Sequence, residues 1–112
     1  MKERVEELVT HIQERCLWQF FSRSWDREEN IEAILSKTAD VLAGEAPSTE
    51  TQADRCWAAD AKILASDFRS QHPWLKDAGK QEIRDVIDGV KARMREIAVE
   101  KSKNGELHVT NY

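Results

Sequence analysis

The 112-residue chain has room for one domain of ordinary size and too little for two. With 40% apolar and 34% charged residues it has the composition of a soluble globular protein and not of a disordered one. Seventeen Lys and Arg against twenty-one Asp and Glu leave a net charge of −4, which argues against a dedicated binder of nucleic acid or of an anionic membrane. No apolar run approaches the roughly 20 residues that cross a bilayer. The opening Met1-Lys2-Glu3-Arg4-Val5-Glu6-Glu7 has no apolar signal region. A cytoplasmic chain with two reduced thiols, Cys16 and Cys56, is the expectation.

Apolar residues recur at helical spacing in four blocks. Val5, Leu8, Val9, Ile12 and Cys16 form the first stripe and predict a helix over about 3–21. Ile31, Ile34, Leu35, Thr38, Val41 and Leu42 form the second, with Ser24 as N-cap, acids in the first turn and Gly44 just after the C-cap. A short connection over Glu45–Ser48 leads to Thr49-Glu50-Thr51-Gln52, which has capping-box spacing with Thr49 as cap. The third stripe, Trp57, Ala61, Leu64 and Phe68, must end near His72, because the residue before Pro73 is driven out of the α region. After a turn through Lys76–Gly79, Ile83, Val86, Ile87, Val90, Met94 and Ile97 make the fourth. Beyond Val99 the pattern fades into an extended tail ending in Leu107, Val109 and Tyr112. The expectation is an all-α fold: a small, compact, mostly antiparallel four-helix domain with an extended C-terminal tail, a single domain over 1–112.

Catalytic constellations are missing. His11, His72 and His108 read as surface or capping residues, because none has a second ligand-type residue at metal spacing. Cys16 reads as a small hydrophobe on the first stripe. Cys56, beside Arg55 and Trp57, reads as a structural thiol in preference to a reactive one. Gly79-Lys80-Gln81 lacks the earlier glycine and the Ser/Thr of a phosphate loop. No catalytic, cofactor-binding or metal-ligating residue is assigned.

The tryptophans are more informative. At about 100° per residue, Trp18 and Phe21 fall nearly opposite the stripe of the first helix, and Trp25 lies about 120° from Ile31. Trp74 follows Pro73 in a connection, whereas Trp57 belongs to the core. Tryptophan and arginine dominate protein–protein hot spots, and Arg23 and Arg27 flank Trp25. Trp18, Phe21, Arg23, Trp25, Asp26, Arg27 and Trp74 are therefore the candidate residues of a partner interface. The residues alone indicate a helical module that binds another protein.

The run Cys16-Leu17-Trp18-Gln19-Phe20-Phe21-Ser22-Arg23-Ser24-Trp25-Asp26-Arg27-Glu28 resembles the hallmark of the delta subunits of the alternative nitrogenases. Asp54-Arg55-Cys56, Asp60-Ala61, Leu64-Ala65, Asp67, Arg69 and Pro73-Trp74 resemble the middle segment of that family. Glu82-Ile83, Gly89-Val90-Lys91, Arg93 and Met94 resemble its last helix. Phe21 and the run Asp26–Ile31 favour the vanadium–iron type. Trp57 after Cys56 resembles the iron-only form, which stands as the alternative.

The resemblance implies a small helical subunit packed on the α subunit of an α2β2δ2 catalytic component, with the iron protein a transient further partner. It implies no cofactor in this chain. The iron–vanadium (or iron–iron) cofactor and the iron–sulfur P-cluster would sit in the α and β subunits, which carry out ATP-dependent reduction of N2 to ammonia. The alternative reading is a transient binding protein or chaperone for the iron-based cofactor during maturation of the apo-component, using Cys16 or Cys56.

Overall fold

The computed structural model describes residues 2–16 and 28–103. Four α-helices make up most of them: α1 (Lys2–His11), α2 (Glu28–Leu42), α3 (Gln52–Gln71) and α4 (Lys80–Lys103). A π-helical turn, Ile12–Cys16, continues α1, and a 3₁₀ turn, Pro73–Lys76, follows α3. No strand occurs among the described residues. The chain folds as a small all-α four-helix domain. Ser24, the expected N-cap of the second helix, and the tail from Asn104 onwards lie outside the described residues.

The predicted stripes form the core. Leu8, Val9 and Ile12 bury against Ile34, Leu35, Ala39 and Leu42 of α2, Ala61, Leu64, Ala65 and Phe68 of α3, and Ile83, Val86, Ile87 and Val90 of α4. Val5, Trp57, Met94 and Ile97 pack half-buried at its margin. α2 packs on both α3 and α4, and α1 lies along α4. Gly89 lets α1 come close: a Cβ built there would stand 2.6 Å from Val5 Cγ2.

Each helix end has a local cause. α2 stops in a Schellman arrangement: the Glu45 N–H donates to the Asp40 carbonyl (2.8 Å) and the Gly44 N–H to the Val41 carbonyl (3.0 Å). Gly44 adopts φ +81°, the left-handed conformation that glycine takes without a Cβ penalty. Arg69 of α3 adds a donor to the same Val41 carbonyl at 2.8 Å. α3 ends at His72, where Pro73 forbids another α residue.

Two expectations are corrected. The capping box is built on Thr51, not Thr49: Thr51 Oγ1 accepts from the Asp54 N–H (3.0 Å), and Asp54 Oδ2 accepts from the Thr51 N–H (3.3 Å). The reason is Lys37, a buried lysine on α2, which donates to the Ser48 carbonyl (3.0 Å) and lies 3.3 Å from Asp54 Oδ1. Those contacts hold residues 48–50 in the connection. α4 also continues to Lys103, past Val99 where the apolar pattern fades.

Two outcomes follow. Thr51→Ala should lower stability by about 1 kcal/mol in urea denaturation, with Thr49→Ala near wild type. Gly89→Ala gains about 1 kcal/mol of helix propensity but drives a methyl into the stiff, branched Val5, an overpacking cost of about 1–3 kcal/mol. A net loss is expected, and a double-mutant cycle with Val5→Ala should show favourable coupling.

Candidate functional site

Where α1, the end of α3 and the 3₁₀ turn meet, five polar side chains form one continuous chain. Arg4, Glu7 and His11 share a row of α1 that flanks the apolar stripe. Pro73 turns the chain so that Leu75 folds back onto the core, and this corner covers the flank. His11 is left 5% exposed and His72 8% exposed.

The two rings meet directly, His11 Nδ1 to His72 Nε2 at 2.7 Å. Each ring spends its other nitrogen on a carboxylate. His11 Nε2 lies 2.6 Å from Asp67 Oδ2, and His72 Nδ1 lies 2.5 Å from Glu7 Oε2. The Trp74 indole N–H donates to the same Glu7 oxygen at 2.7 Å. The Arg4 guanidinium stands 4.6 Å from the centre of the Trp74 ring and pairs with Glu82 of α4 at 2.5 Å. Phe68 closes the inner side, edge-on to His11 with centroids 5.1 Å apart.

His11 and His72 are thus buried and paired, which corrects the surface reading of His11 and adds a buried contact to the capping role of His72. His11 sits off the edge of the apolar stripe, where an isolated helix is solvated. His72 is also a helix cap. Only their 61-residue pairing buries them, and helical spacing carries no signal of it.

Of the candidate interface residues, Trp74 is half-buried against the core and engaged by Glu7 and Arg4. Part of its ring remains at the surface. Trp18, Phe21, Arg23, Trp25, Asp26 and Arg27 lie outside the described residues, as does His108. Cys56 is exposed on α3, a free thiol. The Cys16 side chain is likewise outside the description. Among the described residues no group of three or more His, Cys, Asp or Glu side chains could hold a metal ion. In the polar chain the groups bond to one another at hydrogen-bond distance and leave no common centre for a cation.

A groove of about 250 Å³ between α2 and α4 is lined by Ser36, Asp40, Arg84, Asp88 and Lys91 among others. Its charges are mutually satisfied: Arg84 pairs with Asp40 and Glu45, and Lys91 with Asp88 and Ser36. The hydroxyl in its lining, Ser36, accepts from Lys91, which is itself paired with Asp88. No described helix is long and apolar enough to cross a membrane.

The Trp74 N–H, the bond and charge of His72 and the charge of Arg4 hold the Glu7 carboxyl below its ordinary 4.5, against the opposing effect of burial. Glu7 is then ionised in the fold at a pH where the unfolded chain has bound a proton. Its contribution is complete above about pH 4.5 and is lost as pH falls through the lower, folded titration. Because Glu7 is half-exposed and screened, the contribution is at most about 1 kcal/mol. Glu7→Gln should flatten the acid limb of a stability–pH profile measured by urea denaturation between pH 3 and 6. An unchanged limb would assign the acid sensitivity elsewhere.

Comparison with known proteins now adds identity to geometry. Residues 2–112 match the family described as vanadium/alternative nitrogenase delta subunit. The chain is 40% identical over 111 residues to the nitrogenase iron-iron protein delta chain of Clostridium pasteurianum, covering 99% of this chain and 96% of the relative. It is 39% identical over 112 residues to the protein of that name from Rhodospirillum rubrum (100% and 97% covered). The identity is 40% over 112 residues to that from Azomonas macrocytogenes, with both chains covered in full. The chain belongs to the delta-subunit family of the vanadium and alternative nitrogenases.

Proposed function

We propose that this chain is the non-catalytic delta subunit of an alternative nitrogenase, seated on the α subunit of an α2β2δ2 catalytic component and supporting its assembly and activity. The observation that carries the reading is the full-length match to delta chains. In this reading redox chemistry falls to the clusters of the α and β subunits. Arg23, Trp25, Asp26 and Arg27, with Trp18, Phe21 and the outer edge of Trp74, are the docking residues in this reading.

The type of enzyme follows from the partner's metal. Phe21 and Asp26–Ile31 support the vanadium–iron type, whereas Trp57 and the named relatives, all iron-iron delta chains, support the iron-only type. The test is a tagged pull-down from cells fixing nitrogen without molybdenum, with metal analysis of the eluate. Two larger subunits arriving with iron and vanadium, or with iron alone, support the reading and assign the type. A lone, metal-free chain overturns it. Trp25→Ala should weaken capture of the large subunits by about 30-fold or more, the effect of losing a hot spot worth about 2 kcal/mol. Unchanged capture would remove Trp25 from the docking surface.

A further inference from the structure

The four groups Asp67, His11, His72 and Glu7 make three consecutive short contacts, of 2.6, 2.7 and 2.5 Å. Each contact at such a distance needs one proton between two electronegative atoms. Two neutral imidazoles bring two protons, and ionised carboxylates bring none. Three contacts therefore need a third proton, wherever along the chain it resides. Without it, one contact brings two lone pairs together at 2.5–2.7 Å. In the central contact this would occur inside a site closed by Phe68, where water does not relieve it.

We infer that the buried His11–His72 pair binds one proton beyond the two of neutral rings, and that this proton latches α1 onto the corner between α3 and the 3₁₀ turn. The charges around the pair suit the assignment. From α1, Glu7 faces His72, and Arg4 lies a turn earlier over Trp74. From α3, Asp67 faces His11. From the 3₁₀ turn, Trp74 contributes only its neutral N–H. From α4, Glu82 approaches and is spent on Arg4. Two carboxylates thus touch the rings directly, while Arg4 stacks over the Trp74 ring and pairs with Glu82. A shared imidazolium between two carboxylates leaves a net charge of −1 on the four groups, against −2 without it.

The consequence is a fold that takes up a proton. An unfolded histidine is largely neutral above about pH 6.5. With the third proton the native pair binds one proton more than the unfolded chain does in that range, so folding is coupled to proton uptake.

The test uses the full-length chain, labelled with ¹⁵N-histidine and carrying His108→Gln so that only the pair reports. Long-range ¹H–¹⁵N spectra at pH 7 should show three protonated ring nitrogens of four. Raising the pH should convert both rings together. Urea denaturation over pH 6.5–9 should show the folding constant falling by up to tenfold per pH unit relative to a chain that also carries His72→Gln, whose amide donates and accepts without titrating. His11→Gln is the second such variant, should the first not fold. Two protonated and two bare nitrogens at pH 7 would overturn the inference. So would a stability profile whose alkaline slope is the same with and without the pair.

Discussion

His11 lies between Leu8 and Ile12 on a helix that the fold covers, and a buried imidazole needs partners for both ring nitrogens. That requirement organises the N-terminal third of the described structure. It places His72 at the end of α3 and Asp67 one turn earlier, and draws Glu7 and Trp74 together. Apolar packing alone would let α1 slide or rotate along α4, since the hydrophobic effect has no direction. Three short polar contacts fix its register. Arg4–Glu82 and Arg93–Glu6 add surface pairs of small individual worth.

A second organising contact lies at the other end of the bundle. Lys37 is buried where α2 passes the connection to α3, and its ammonium reaches Ser48 and Asp54. Asp54 serves twice, as the reciprocal half of the capping box and as the partner of that lysine. The Thr51 hydroxyl bond, with Lys37 behind it, keeps the Asp54 carboxyl below its ordinary range. The start of α3 is thereby tied to the flank of α2, while Arg69 ties the end of α2 back to α3.

The helices, the core stripes, the Gly44 terminus and the stop at Pro73 were all legible, because each depends on residues within a turn or two of one another. What the sequence concealed is long-range. Thr49 and Thr51 both have a capping partner three residues on, and the choice between them is made by Lys37 from another helix. The His11–His72 contact joins two positions that local spacing places at a solvated flank and a helix end. A wheel drawn through the first helix also assumes α geometry, and the backbone over Ile12–Cys16 is π-helical. One extra residue per turn offsets such a count by about 100°. The count that set Trp18 and Phe21 opposite the core runs through that segment. The family was legible for a different reason: it rests on residue identities, which no helical period supplies.

The placement of α1 also bears on the order in which the domain assembles. Its ion pairs to α4 span 78 and 87 residues, and its histidine pair spans 61. α2 and α3, by contrast, are joined by a short connection and pack on each other. During synthesis, therefore, α2 and α3 can close while the chain is still growing, but α1 must wait for nearly the whole of α4. Among the described helices, α1 is thus the last to find its seat. Leu8, Val9 and Ile12, buried only in the finished fold, are preceded in the chain by Glu3, Glu6 and Glu7, charges of the kind that guard an unpaired apolar stripe against association.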